Sequence, residues 1–165
     1  MTTAYLGLGS NLGNRLAFLR GGRDSLCNRF DIALSRASAV YETLAVGGPA
    51  DNPAFLNAVL EIETALEPHE LLAACLAVEN EFGRTRPMAW APRTLDIDLL
   101  LYGEVVVDEA ALHLPHLRLH ERAFVLAPLN ELVPDLHHPV LRKTIRSLVA
   151  ELPPGTIPAP LRMIW

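Results

Sequence analysis

Apolar residues along this chain recur with period two in some stretches and near 3.6 in others, and the switches outline its elements. Ala4 to Leu8 reads as a first strand running into the turn Gly9-Ser10-Asn11-Leu12-Gly13-Asn14. Leu16, Leu19, Leu26 and Phe30 then recur at roughly helical spacing, and Ala33 to Thr43 is strand-like. Leu56, Ala58, Leu60 and Ile62 alternate with Asn57, Val59, Glu61 and Glu63, which predicts a strand with one buried face. Pro68 suits a first helical turn, Leu71, Leu72, Cys75, Leu76 and Phe82 supply an apolar stripe, and Gly83 stops it. Leu95 to Tyr102 predicts a fourth clear strand and Val105 to Val107 a short fifth. Further helix is expected from about Glu121 to Leu132, and from a Thr144 cap to Glu151. Strands and helices interleave, yet several strands follow one another directly. That pattern favours an α+β sheet with helices packed on it over a doubly wound parallel sheet.

At 165 residues one domain over 1–165 is expected, and no repeat, low-complexity tract or linker divides it. Half the residues are apolar or aromatic, enough for a substantial core. The 14 Lys+Arg against 19 Asp+Glu leave a net charge of −5, which argues against a nucleic-acid binder. No apolar run reaches the ~18 residues of a membrane span, and no signal peptide is visible at Met1-Thr2-Thr3-Ala4-Tyr5. Cys27 and Cys75 are far apart and read as free thiols of a reducing, cytoplasmic compartment. Lys143 is the only lysine, so a Gly-x-x-x-x-Gly-Lys phosphate loop is absent. Phosphate, if handled at all, must be met by arginine and metal.

The sharpest chemical signal is Arg93-Thr94-Leu95-Asp96-Ile97-Asp98-Leu99-Leu100. On a strand, residues two apart share a face, so Asp96 and Asp98 present paired carboxylates while Leu95, Ile97 and Leu99 face the core. Two like charges so placed repel unless a cation lies between them, and hard oxygen ligands suit Mg²⁺. A bare Asp-x-Asp more often marks a strand whose polar face meets water. Here Arg84, Arg86 and Arg93 cluster just upstream in a Pro/Gly-punctuated loop. Metal bridging some oxygens and guanidinium forks holding others is what a polyphosphate needs.

Other positions are weaker signals. The first turn could offer backbone N–H groups to phosphate at a helix start, although Ser, Asn and Gly also mark ordinary turns. Asn57 carries an amide that can pair with a ring bearing adjacent donors and acceptors, and Phe55, on the same face, could stack on that ring or belong to the core. The segment 115–124 holds His116, Arg118, His120, Arg122 and Phe124 without a zinc-like spacing. His137-His138 has no companion ligands and is expected at the surface.

Taken together these segments resemble the 6-hydroxymethyl-7,8-dihydropterin pyrophosphokinase family of folate biosynthesis. The resemblance runs through Tyr5-Leu6-Gly7-Leu8-Gly9-Ser10-Asn11-Leu12-Gly13, Tyr41-Glu42-Thr43, Phe55-Leu56-Asn57 and Gly83-Arg84-Thr85-Arg86. It continues through Trp90-Ala91-Pro92-Arg93-Thr94-Leu95-Asp96-Ile97-Asp98, Pro115-His116 and Arg122 to Leu129. It implies a ferredoxin-like α+β domain, mostly antiparallel, that transfers pyrophosphate from ATP to the pterin hydroxymethyl group and releases AMP. Asp96 and Asp98 match the family's aspartates for two Mg²⁺ ions, and with Arg84 and Arg93 are the catalytic candidates. Asn57 matches its pterin-recognising amide, helped by backbone near Thr43 and Val46, while Phe55 and Phe124 match the aromatics that sandwich the pterin. Glu79, Arg86, Trp90, Arg93, His116 and Arg122 fall, like Arg84, where the family handles ATP. The implied partners are ATP and the pterin, with no nucleic acid or membrane and a monomeric chain.

Three residues depart from that pattern: Ala45 where proline is frequent, Ala89 where a basic residue is usual, and Leu117 where proline is common. The Gly/Pro-rich loops 47–53 and 83–92 are expected to open locally, and the second to order on ligand. A nucleotidyltransferase would also use a Gly-Ser turn and an Asp-x-Asp pair, but keeps them close, whereas Ser10 and Asp96 stand 86 positions apart. A non-catalytic nucleotide-binding module is the other reading, separable because it would bind ATP without forming AMP.

Overall fold

The computed structural model describes residues 1–44, 52–83 and 94–165. Its elements are β1 (Thr2–Ser10), α1 (Arg15–Cys27), β2 (Ile32–Ala37), β3 (Val40–Thr43), β4 (Phe55–Thr64), α2 (Pro68–Glu81) and β5 (Asp96–Tyr102). These are followed by β6 (Val107–Asp108), β7 (His113–Leu114), a 3-10 turn (Leu119–Glu121), α3 (Ala123–Leu132), α4 (Ile145–Ala150) and β8 (Pro160–Leu161). Local chemistry sets the helix ends. Asn14 Oδ1 accepts from Ala17 N–H at 3.1 Å to start α1. Pro68 opens α2, Glu67 N–H donates to Glu70 Oε2 at 2.8 Å, and Gly83 at φ 73° follows its end.

β4 is the spine of the sheet. β1 runs antiparallel along one of its edges, from Thr2 opposite Thr64 to Ser10 opposite Leu56, while β2 and β3 lie end to end along the other. β5 pairs outside β1 and β8 outside β3, so the order is β5-β1-β4-β3-β8 with β2 beside β4, every pairing antiparallel. With β2 and β3 taken as one interrupted strand, the succession β1-α1-β2/β3-β4-α2-β5 is the βαββαβ plan of ferredoxin-like folds. Among the described residues no helix is long and apolar enough to cross a membrane.

The sheet is covered on both sides, which corrects the expectation of one buried face for β4. Leu6, Leu8, Leu60 and Ile62 pack with Leu19, Leu26 and Leu71 beneath α1 and α2. On the opposite face Tyr5, Val59, Leu100 and Leu101 pack with Val125, Leu126, Leu129, Ile145 and Leu148 of α3 and α4. Leu100 and its neighbour Leu101 both join this second core because the β1–β5 register shifts there by one residue. Gly22 lets α1 approach closely, since a Cβ at that position would stand 2.8 Å from Leu95 Cδ2.

Glu61 is the polar residue that this second layer buries. It stands opposite Tyr5 on β1 and Arg36 on β2. Arg36 grips it with both arms, Nε to Oε1 at 3.0 Å and Nη2 to Oε2 at 2.7 Å, and Tyr5 Oη donates at 3.1 Å. Arg36 Nη1 also donates to the carbonyl of Leu132, the last residue of α3, at 2.9 Å. Glu131 adds a second tie, accepting from Tyr41 Oη at 2.7 Å and from Ala39 N–H.

Other differences from the sequence pattern have local causes. Phe30 is 99% exposed, because α1 ends at Cys27, capped by Asn28, before the next turn of its stripe. The stretch 33–43 divides at Ser38-Ala39, where Ser38 Oγ accepts from Val59 N–H at 2.9 Å in place of a ladder bond. The fifth strand is only Val107–Asp108, paired with His113–Leu114 in a separate ribbon. Helix α3 begins two residues later than expected, after the 3-10 turn. His138 is buried rather than superficial: its Nδ1 accepts from Val140 and Leu141 N–H, and burial lowers its pKa.

The Glu61 network makes stability acid-sensitive. The Arg36 guanidinium holds the Glu61 carboxyl below the ordinary value of 4.5, despite burial acting the other way. A carboxylate depressed in the folded state contributes stability above its unfolded pKa and loses it as pH falls through the folded one. Urea midpoints are therefore expected to drop as pH falls below 4.5. Glu61→Gln is expected to be less stable at pH 7 by roughly 1–3 kcal/mol and to show a shallower acid slope. An unchanged slope in that variant would remove Glu61 as the titrating group.

Candidate active site

The second helical layer is shorter than the sheet beneath it. At the end where β1 finishes and β5 begins, the sheet is left open as a cleft of about 710 Å³. Strand register decides what stands on its floor. Gly9 lies between Asp96 of β5 and Asn57 of β4, and Gly7 lies between Asp98 and Val59. With strands ~4.8 Å apart, Asn57 and Asp96 are about 10 Å from one another across a residue that has no side chain. A Cβ at Gly9 would come within 3.1 Å of Asn57 Oδ1 and 3.5 Å of the Phe55 ring. The two glycines thus keep clear a strip of floor with an amide and an aromatic at one end and two carboxylates at the other.

Of the residues singled out from the sequence, Thr43, Phe55, Asn57, Asp96, Asp98, Arg122 and Phe124 all line this cleft. Asn57 is 7% exposed, and its Nδ2 donates to Thr43 Oγ1 at 2.8 Å, which turns Oδ1 over Gly9. Arg122 and Phe124 come from the start of α3 on the opposite wall. The Arg122 guanidinium lies 5.5 Å from the Phe124 ring centroid and 3.9 Å from Asp98 Oδ2. Burial lowers the Arg122 pKa, and the neighbouring Asp98 charge opposes that effect.

His116 sits beside this group. Its N–H donates to Leu100 O at 2.9 Å and its Nδ1 accepts from Arg118 N–H at 3.3 Å, so the neutral ring carries its proton on Nε2. Burial pushes its pKa down, with Asp98 acting in the opposite direction. Glu79 is placed differently. It is buried on α2, outside the cleft lining, and its Oε1 accepts from Ile97 N–H at 2.7 Å between the two acids. That placement makes it a brace for the strand that carries them. Val46, Arg84, Arg86, Trp90 and Arg93 lie outside the described residues, as do Ala45, Ala89 and most of the loops 47–53 and 83–92.

The turn after β1 uses its polar side chains structurally. Asn14 caps α1, Asn11 Nδ2 donates to Asn52 Oδ1 and Pro53 O at 3.0 Å, and Arg15 Nη1 reaches Ala54 O and Glu42. These bonds hold residues 52–54 at the cleft rim. Sequence reasoning missed several lining residues: Leu44, Arg118, Glu121 and the late segment Gly155 to Pro158. Only Arg118 carried a usable signal, its place in a cluster of basic residues.

Among the described residues no group of three or more His, Cys, Asp or Glu could hold a metal ion. Two adjacent carboxylates still suit Mg²⁺, which is commonly bound by one or two carboxylates and completed by substrate phosphates and water. The donor set fits an ion that arrives with a polyphosphate.

Comparison with known proteins agrees with this architecture. The sequence profile of the 7,8-dihydro-6-hydroxymethylpterin-pyrophosphokinase family matches residues 5–134. The 2-amino-4-hydroxy-6-hydroxymethyldihydropteridine pyrophosphokinase of Methylorubrum extorquens is 45% identical over 157 residues, covering 95% of this chain and 98% of that protein. The enzyme of the same name from Bacillus subtilis is 44% identical, covering 78% of this chain and 77% of its own. Among solved structures, the HPPK-DHPS of Plasmodium falciparum superposes with a TM-score of 0.69 at 16% identity, over 92% of this chain and 43% of that longer one, a likeness of fold. The profile match and the extent of identity establish that the chain belongs to the 7,8-dihydro-6-hydroxymethylpterin-pyrophosphokinase family.

Proposed function

We propose that this pyrophosphokinase of folate biosynthesis works in the cleft over Gly7 and Gly9, moving pyrophosphate from ATP to the hydroxymethyl group of 6-hydroxymethyl-7,8-dihydropterin. The observation that carries the assignment is the row Asn57, Gly9, Asp96, which sets a ring-reading amide and a carboxylate on one bare floor. The pterin lies between Phe55 and Phe124, with Asn57 Oδ1 accepting from its N–H edge and Thr43 beside it, and Val46 is assigned to it by the family resemblance alone. Its hydroxymethyl arm then points along the glycine floor toward Asp96 and Asp98.

These two carboxylates would hold two Mg²⁺ ions arriving with ATP. Bound Mg²⁺ neutralises phosphate charge and makes a nearby hydroxyl easier to deprotonate. Asp96 accepts or relays the hydroxyl proton, and Arg122 and the His116 Nε2–H hold phosphate oxygens as negative charge shifts to the leaving AMP. Arg84, Arg86, Trp90 and Arg93 are assigned to the nucleotide by the family resemblance, Arg84 and Arg93 as catalytic candidates. Positioning and electrostatics supply most of the acceleration in such transfers. The reading includes a cytoplasmic enzyme active as one chain, supported by the unpaired Cys27 and Cys75 and by a cleft formed within this chain.

Incubation with ATP, Mg²⁺ and the pterin, followed by nucleotide separation, tests the assignment. AMP should appear in step with the pterin diphosphate. Asp96→Ala and Asp98→Ala are each expected to abolish turnover while leaving the unfolding midpoint near that of the parent. Normal rates in either variant at ordinary Mg²⁺ would end the metal assignment.

The pterin half of the site is tested separately. Phe124→Ala should weaken pterin binding by about 1 kcal/mol or more and ATP binding far less. Gly9→Ala pushes a methyl against Asn57 Oδ1 and Phe55, and is expected to raise the KM for pterin with little change in that for ATP. Equal losses for both ligands in isothermal titrations would mean that these residues support the fold rather than the ring.

A further inference from the structure

One wall of the cleft is built from chain beyond residue 134, where the family match ends. After α4 the chain enters Pro153-Pro154-Gly155-Thr156, where Thr156 N–H donates to Pro153 O at 3.3 Å and Gly155 takes φ 82°. Proline second and a positive-φ glycine third make a type II turn. The turn sends the chain along the open end of the sheet, and Gly155, Thr156, Ile157 and Pro158 line the cleft. The next residues are fastened. Pro160 and Leu161 pair with Tyr41 and Val40 of β3. Arg20 Nη2 donates to Ile164 O at 2.6 Å, Trp165 Nε1 donates to Ser38 O at 2.8 Å, and the Arg23 guanidinium lies 5.2 Å from the Trp165 ring centroid. These attachments are to α1, β3 and the β2–β3 junction, and the residues that make them are outside the cleft lining.

Register shows which end of the cleft this wall serves. With Pro160 opposite Tyr41, continuing the antiparallel count brings Pro158 level with Thr43, at the end that holds Phe55 and Asn57. The segment Gly155-Thr156-Ile157-Pro158-Ala159-Pro160 carries no charge, in contrast to the Asp96, Asp98, Arg118 and Arg122 end. Ile157 is 43% exposed and Leu44, in the same lining, is 85% exposed. Apolar side chains open to a cleft are surface that a flat ring would remove from water.

We infer that residues 155–158 form a third, substrate-contacting wall of the pterin end, with Ile157 lying against the bound ring, and that Trp165 is a positioning residue that fixes where this wall stands. The inference rests on the pterin reading of the cleft. Pro158 and Pro160 restrict the backbone between the turn and β8, and Trp165 secures the far side of β8 at Ser38, so its loss loosens the two-residue pairing that sets where Ile157 stands.

Steady-state kinetics with each substrate varied in turn, on the parent and on Ile157→Ala, Trp165→Ala and Trp165→Phe, test it. Ile157→Ala is expected to raise the KM for the pterin about fivefold, from partial loss of one apolar contact, with the KM for ATP and kcat little changed. Trp165→Ala should give the same selective rise, and Trp165→Phe, which keeps a ring beneath Arg23, should recover part of it. Unchanged pterin KM in Ile157→Ala, or equal rises for both substrates, would overturn the inference while leaving an active parent enzyme. Failure of the pterin reading would show in the parent itself, as no AMP formed with pterin present. Should Trp165→Ala fail to fold, Ile157→Ala decides the contact and Trp165→Phe the anchor, an unaltered pterin KM in the latter counting against it.

Discussion

The placement of α3 depends on one buried carboxylate. Glu61 is inside the second core only because Arg36 and Tyr5, brought alongside it by the strand register, occupy its oxygens. A buried acid without such partners would be strongly destabilising. The same Arg36 reaches past Glu61 to the last carbonyl of α3, so the pair that satisfies the sheet also fixes the helix above it. Ten residues of helix span about 15 Å. Arg122 and Phe124 at its other end are therefore positioned by chemistry a full helix away.

What α3 leaves uncovered becomes the cleft, and β1 shapes its floor by lacking side chains at alternate positions. The acids come from β5, where Glu79 occupies the Ile97 N–H that an edge strand would otherwise leave to solvent. Phe55 and the amide of Asn57 belong to β4 and the acids to β5, yet each is placed by backbone pairing rather than by a loop. A site built in this way holds its geometry without ligand, which is what orienting a hydroxyl against a phosphorus requires.

Much of this was legible in the sequence. Alternation put Asp96 and Asp98 on the face opposite Leu95, Ile97 and Leu99, and it marked β4 as a strand. It could not show that the polar face of β4 is also buried, because Glu61 is tolerated there through Arg36 and Tyr5, residues distant in the chain. Phe30 continued a helical spacing beyond the point where α1 stops. The strand β8 is two residues beginning with a proline, too short to leave a periodic trace, so the wall that it steadies had no signature beyond a Pro-Gly turn. Glu79 showed a family position but not its backbone partner, which depends on how α2 packs behind β5.

The spacing of Gly7 and Gly9 also sets how this chain tolerates changes in length. Side chains on a strand alternate between faces, so one residue inserted into β1 beyond Tyr5 would turn Leu6 and Leu8 toward the cleft and the glycines toward α1 and α2. Core and floor would be spoiled together, with no intermediate in which one survives. Insertions at the exposed tip of the β6–β7 ribbon, Glu109-Ala110-Ala111, would leave the alternation of the main sheet intact, since only Leu112, Leu114 and Val107 of that ribbon join its core. Variation in length among such chains should therefore gather in that ribbon and be absent from the first ten residues.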